Sequence, residues 1–320
     1  MYKIAATSLS LAALAAAFFS ISMSGAATTT NLAFAQEEEK EKPESRTVGV
    51  YLVNVGKVDL QAGSYDIDFY IWFSSDDPNA NFTKSAPRFD FMNAFNATIT
   101  PSQVEPGYYE ARVEGTFVKN MDFRQYPFDT QRLTVEVEGF EPVEKLVFKP
   151  DTASSGFDDL INVPGWTLDG SSSEVINHHY REGTFSRYIF AFAIERAPLS
   201  AFLKTIFPVL IITAIAMLAF WMSPAHFAAR VSLAASTLLA AVAAHLSAAN
   251  QLPPIGYLTF MDKIMIIVYA LFLNNLLSLV LQMRLVDRGK EQEALRVNAR
   301  MRRLMPVIIV VILAILVPFV

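Results

Sequence analysis

The chain of 320 residues contains no cysteine. That excludes disulfides, the usual staple of an exported domain, and any thiolate metal site. Nucleophile–base pairs, phosphate-cradling glycine loops and ligand clusters at metal spacing are missing too, so no enzyme, cofactor or metal is expected. Histidine is scarce, with four residues. His226 and His245 have no ligand partner at useful spacing and read as structural, whereas His178-His179 is the better place for modulation by pH or metal. Acidic residues are rare at one end: residues 197–320 hold ten basic groups and only four acidic ones.

What is present is apolar and unevenly spread. Hydrophobic residues make up 52% of the chain and the mean hydropathy is +0.31. Residues 46–196 carry 13 basic and 22 acidic groups, so an acidic middle precedes a basic, apolar end. That asymmetry points to a membrane protein with a water-exposed domain. Lys3, the apolar run Ile4–Met23 and Ala33-Phe34-Ala35 predict a secretory signal over residues 1–35. The segment "QEEEKEKPE" within residues 36–45 reads as a solvated charged tail.

From Val48 to Arg196 no helical period appears. Runs such as "VGVYLVNV", "YDIDFYIWF", "YYEARVEGTFV", "RLTVEVEGF" and "RYIFAFAIE" alternate with Gly, Pro, Asp and Asn clusters. Seven or more short strands at that spacing predict a β-sandwich over residues 46–196. Between two of them lies "DFRQYPFDTQRL", residues 122–133, where Pro127 ends the preceding extended run.

Residues 197–320 predict a membrane domain with spans at about 199–221, 229–250, 261–283 and 304–320. The 284–303 linker holds seven basic residues against three acids, which places it in the cytoplasm. A cleaved signal puts the β domain outside, and four crossings return the carboxyl terminus there. Both arguments give one orientation.

The second span, "RVSLAASTLLAAVAAHLSAAN", is rich in Ala and Ser. Ser232, Ser236, Leu239, Ala243, Leu246 and Asn250 share one helical face. A small, polar stripe with one central bulky residue suits a water-filled pore closed by a dewetting ring. The same stripe also suits close helix packing, which small residues permit.

Taken together, the sandwich, the Tyr126-Pro127-Phe128-Asp129 loop, Arg196 before the first span and the Ser/Leu-striped second span resemble a pentameric ligand-gated ion channel. This is the Cys-loop receptor superfamily in its prokaryotic form, and the resemblance covers roughly residues 48–320. Animal members bracket the loop with two cysteines, at positions matching Lys119 and Leu133 here, so the disulfide is missing. The resemblance implies an extracellular immunoglobulin-like β-sandwich followed by a four-helix all-α transmembrane bundle, assembled as a homopentamer in the cell (inner) membrane. Asp59, Asp129 and Arg196 match the family's coupling triad, and Pro253-Pro254 matches the loop that receives its push. Phe140, Tyr180 and Phe185 match aromatic positions of the subunit-interface ligand pocket, which could hold an ammonium group. The first binding loop departs from the pattern, with Ser85, Asp90 and Met92 where aromatics are usual, which weakens the case for an amine.

At the inner constriction the matching residues are Ala228, Ala229 and Arg230, with no acidic ring. They resemble the Pro-Ala-Arg of anion-selective members, whereas the acidic outer domain would enrich cations. The expected partners are a small-molecule ligand or protons, inorganic ions and membrane lipid, with no nucleic acid. A cation-conducting channel of the same family, with proton gating as one option, and a non-conducting membrane solute receptor are the alternatives. A transporter is disfavoured, since the spans show neither inverted halves nor broken helices.

Overall fold

The computed structural model describes residues 42–77 and 79–316. The signal reading for residues 1–35, most of the 36–45 tail and the last four residues lie outside the described residues. Strand β1 (Glu44–Asp59) already starts within the segment read as tail.

Ten strands form two sheets among the described residues. One has the order β4 (Ala94–Glu105), β5 (Tyr108–Val118), β2 (Ser64–Ser75), β1, β7 (Leu146–Pro150), with β8 (Gly156–Phe157) also pairing β1. The other has the order β3 (Phe89–Phe91), β6 (Thr130–Pro142), β10 (Gly183–Arg196), β9 (Trp166–Tyr180). Side chains alternate across a strand, so Tyr65, Ile67, Phe69, Ile71 and Phe73 of β2 turn one way. They meet Leu133, Val135 and Val137 of β6 and Tyr188, Phe190, Phe192 and Ile194 of β10 in a single apolar core. Strand β4 escaped the sequence pattern for a plain reason: all but its first residue are exposed, so no alternation marks it. It pairs along β5 as a sheet edge.

Four helices follow: α1 (Pro198–Phe220), α2 (Phe227–Ala249), α3 (Phe260–Asp287) and α4 (Glu291–Leu316). The first three are long and apolar enough to cross a bilayer. In α1, residues Phe202–Ile206 form a π turn, with Phe207 N–H donating to the Phe202 carbonyl. Pro208 follows at once and has no N–H to return to the preceding turn, so the wider turn absorbs what the proline interrupts.

The segment 284–303 is not an open linker. Helix α3 runs on to Asp287 and α4 begins at Glu291, leaving a three-residue turn in which Gly289 takes φ 73°. That left-handed conformation favours glycine. The arginines therefore continue two helices beyond their apolar parts. Helix α3 opens with a capping box: Thr259 accepts from Asp262 N–H, and the Asp262 carboxylate accepts from Thr259 N–H. Thr259→Ala is expected to cost about 1 kcal/mol of stability, measurable as a small fall in Tm.

Candidate functional site

Where the sandwich meets the helices, the 122–129 loop sits on the start of α3. Phe260 N–H donates to the Arg124 carbonyl at 2.9 Å and Met261 N–H to the Tyr126 carbonyl at 3.1 Å. A helix N-terminus has N–H groups without intrahelical partners. Here the loop's backbone supplies acceptors. Phe123 N–H donates to the Tyr257 hydroxyl at 3.0 Å, the Arg124 guanidinium stacks 4.7 Å from the Tyr257 ring, and Phe128 lies 6.1 Å from Phe260. Tyr126 and Phe123 are buried with the helices' own core, and burial raises the Tyr126 hydroxyl above its ordinary pKa.

Asp129 and Arg196 are brought together. Arg196 Nε lies 2.9 Å from Asp129 Oδ1 and Nη2 lies 3.3 Å from Oδ2, with the carboxylate 1% exposed. Gln131 Nε2 donates to Asp129 Oδ2 at 2.7 Å. The guanidinium lies 4.2 Å from the Trp166 ring and 5.2 Å from Tyr126. A carboxylate buried this deeply needs a charge-assisted, two-point partner, and arginine's planar fork provides one.

Among the described residues Asp59 forms no ion pair with Arg196. Its carboxylate bonds Lys57 Nζ at 2.7 Å and accepts from Ala62 N–H, which together hold it below the usual carboxylate range. Residues two apart on a strand share a face, so Lys57 is the nearer cation. The neighbouring Gln61 instead reaches the end of α2, its side-chain amide donating to the Asn250 carbonyl. Pro253 and Pro254 lie in the α2–α3 connection beside Leu60 and Gln61, lining the same cleft.

On α2 the stripe Ser232, Ser236, Leu239, Ala243, Leu246 and Asn250 is exposed throughout, with Leu239 70% accessible. The opposite face buries Arg230, Ala234, Thr237, Ala241 and Ala248 against the other helices. His245, off the stripe, engages both ring nitrogens, with Tyr269 Oη and Asp262 Oδ1 each 2.9 Å away.

Arg230 corrects the reading of the inner constriction. Two residues along a helix differ by about 200°, so it cannot share a face with Ser232. Its guanidinium is buried and donates to the Ala219 carbonyl at 2.7 Å, Gln282 Oε1 at 3.0 Å and Asn298 Oδ1 at 2.6 Å. One residue of α2 thus ties together α1, α3 and α4 through neutral acceptors. Ala228 and Ala229, in contrast, are exposed.

Sequence reasoning missed Gln131, Trp166, Gln282 and Asn298. A signal existed for the last: Asn298 interrupts the buried row Ala294, Asn298, Met305 on α4. A lone amide on an apolar helical face is costly without a partner.

Phe140, Tyr180 and Phe185 line one cleft of about 540 Å³ together with Asp90, Glu138 and Glu182. The Tyr180 and Phe185 rings meet edge to face at 5.7 Å. Arg187 fixes the wall, donating to Glu138 Oε2 at 3.0 Å and to the Tyr180 hydroxyl at 2.7 Å. The Arg88 guanidinium stands 5.0 Å from the Phe140 ring, where a ligand cation would otherwise stack.

Residues 205–308 match the family model of the neurotransmitter-gated ion-channel transmembrane region. A proton-gated ion channel of Gloeobacter violaceus is 24% identical over 291 residues, covering 83% of this chain and 80% of that protein. The γ-aminobutyric acid receptor subunit beta-4 of Gallus gallus is 30% identical over 161 residues, 48% of this chain and 32% of the subunit. A γ-aminobutyric acid receptor subunit beta-like of Drosophila melanogaster is 25% identical over 53% of this chain and 34% of its own length. The chain spans four fifths of the bacterial relative but only about a third of these receptor subunits. These matches are channels and receptor subunits rather than enzymes.

Proposed function

We infer that the chain belongs to the pentameric ligand-gated ion channel family, and from that premise propose that five copies form a multi-pass channel whose pore is lined by α2. The observation that carries this is the outward turn of the Ser232–Asn250 stripe, bare in the single chain while Arg230, Ala234, Thr237, Ala241 and Ala248 on the opposite face pack inward. Five such stripes facing one another would enclose water between polar ends, with Leu239 as the apolar ring between them.

A ligand or protons acting at the outer domain open the pore, and the cleft between Phe140 and the 178–185 hairpin is the ligand site. Movement there passes along β10 to Arg196, through Asp129 to the 122–129 loop, and into the α2–α3 connection at Pro253 and Pro254. The β domain and the carboxyl terminus face the outside, with the arginine-rich ends of α3 and α4 in the cytoplasm.

Anions are the favoured permeant ions. Ala228 and Ala229 bring no carboxylate to the inner mouth, and Arg230 has no carboxylate partner among the described residues. Its charge acts on the pore across the helix rather than by contact, in a medium that screens weakly.

The test is the reversal potential of the purified channel in planar bilayers across a tenfold salt gradient. A value near the chloride potential, about 59 mV from zero, is expected, and Arg230→Gln should move it substantially toward zero. A value near the cation potential transfers selectivity to the acidic outer domain. Silence from a folded pentamer would favour a receptor that binds without conducting.

A further inference from the structure

Arg88 is exposed and makes no hydrogen bond or ion pair among the described residues; its guanidinium instead lies 5.0 Å from the Phe140 ring. Strand register fixes that contact. Strands β3 and β6 run antiparallel, with Phe89 opposite Gly139 and Asp90 opposite Glu138. One step further outward sets Arg88 opposite Phe140. Directly opposed side chains share a face, as do residues two apart on a strand. Phe89 and Phe91 turn to the sandwich core. Arg88, Asp90, Glu138 and Phe140 are therefore on the outer face, the one that walls the cleft of about 540 Å³.

The neighbouring acids do not draw the guanidinium away. Arg88 also lines a smaller cleft of about 250 Å³. There Glu44 is held by Arg46 at 2.7 Å and Glu141 by Lys145 at 3.5 Å, while Asp77 accepts from Asn79 N–H at 2.8 Å. On the wall of the larger cleft, Glu138 is answered by Arg187 at 3.0 Å.

We propose that Arg88 is a specificity-determining residue of the larger cleft. It fills the cation seat on Phe140 itself, so a bare ammonium ion is rejected and a cation enters only with an anionic group of its own. There are two physical reasons. A tethered guanidinium competes for the ring at an effective concentration on the order of millimolar. Its charge also has no partner, so a second cation at the same ring meets uncompensated repulsion at close range. A ligand carboxylate reverses both effects, because the planar fork takes it at two points. Asp90, two residues along the same face, accepts from Phe91 N–H, forms no ion pair among the described residues, and stands ready for the ligand's cationic end. The inference rests on the reading of this cleft as the ligand site, but its test measures binding and not current, so either can fail alone.

The full-length protein in maltoside micelles would be titrated with tetramethylammonium and with glycine betaine, a trimethylammonium head joined to a carboxylate. Binding is followed by saturation-transfer NMR of the methyl protons. The unaltered protein is expected to prefer the betaine by roughly tenfold or more. Arg88→Gln should raise the affinity for tetramethylammonium about tenfold and remove the preference. Arg88→Lys, which keeps the charge, should keep most of it. Adding Phe140→Leu to Arg88→Gln should cancel the gain, and since both side chains are exposed neither change threatens the fold. Tetramethylammonium binding that Arg88→Gln leaves unchanged, including none with either protein, would overturn the proposal. So would a gain that survives Phe140→Leu. A silent channel with this order of binding intact would remove the channel reading and leave the role of Arg88 standing.

Discussion

Replacing Leu239 with serine is expected to give a channel that leaks without ligand and responds at far lower ligand concentration. Leu239 is the bulky residue at the middle of the stripe and is 70% exposed in the single chain, so in the proposed pentamer five copies meet with only water or one another for company. An apolar constriction excludes water because wetting it is unfavourable, and a hydroxyl reverses that preference. A leucine side chain is worth about 1.5–3 kcal/mol between water and an apolar contact. Even one such increment corresponds to a tenfold to hundredfold shift in a two-state equilibrium, and five act together. Single-channel or bilayer recordings should show the open fraction without ligand rising by roughly two orders of magnitude. Unchanged closed-state behaviour would remove Leu239 from the gate and α2 from the pore wall.

The second large effect is expected at the domain junction. Asp129→Asn or Arg196→Gln should each lower stability by about 3–5 kcal/mol, because each strands a desolvated charge. Asp129 is 1% exposed and has no other cation paired with it among the described residues. For an outer domain of this size that amounts to a fall in Tm of about 6–20 °C. The double variant removes both charges and should recover a substantial part of the loss, since the cost of the stranded partner disappears. A double-mutant cycle isolates this coupling. The singles should also lose response to ligand while still binding it, and the double variant should not regain response, because stability and transmission draw on the pair differently. Additive losses in the cycle would show that the two residues act separately.

Much of this architecture was legible. Period-two alternation in "YDIDFYIWF" and "RYIFAFAIE" located β2 and β10 because one face of each is fully buried and most of the other is only half-buried. The stripe on α2 was legible for the same reason at a helical period. Strand β4 was not, since an edge strand bare on both faces carries no period to read. Arg230 misled through its neighbours: alignment by chain position put it beside Ala228 and Ala229, while helical geometry turns it to the far side of α2. Asp59 misled because its competing cation, Lys57, lay two residues away rather than across the fold. The extension of α3 and α4 through the basic segment was hidden by charge, which marks the membrane edge but does not end a helix.

The cap on α3 bears on how such proteins can be recombined. Its first N–H groups are served by carbonyls of Arg124 and Tyr126, from another domain and well over a hundred residues earlier in the chain. A hybrid spliced after Arg196 would draw the loop from one parent and the helix start from the other, leaving that seam to chance. The natural unit of exchange is discontinuous: residues 122–129 travel with 257–262, and a splice that transfers both should keep the two halves in register.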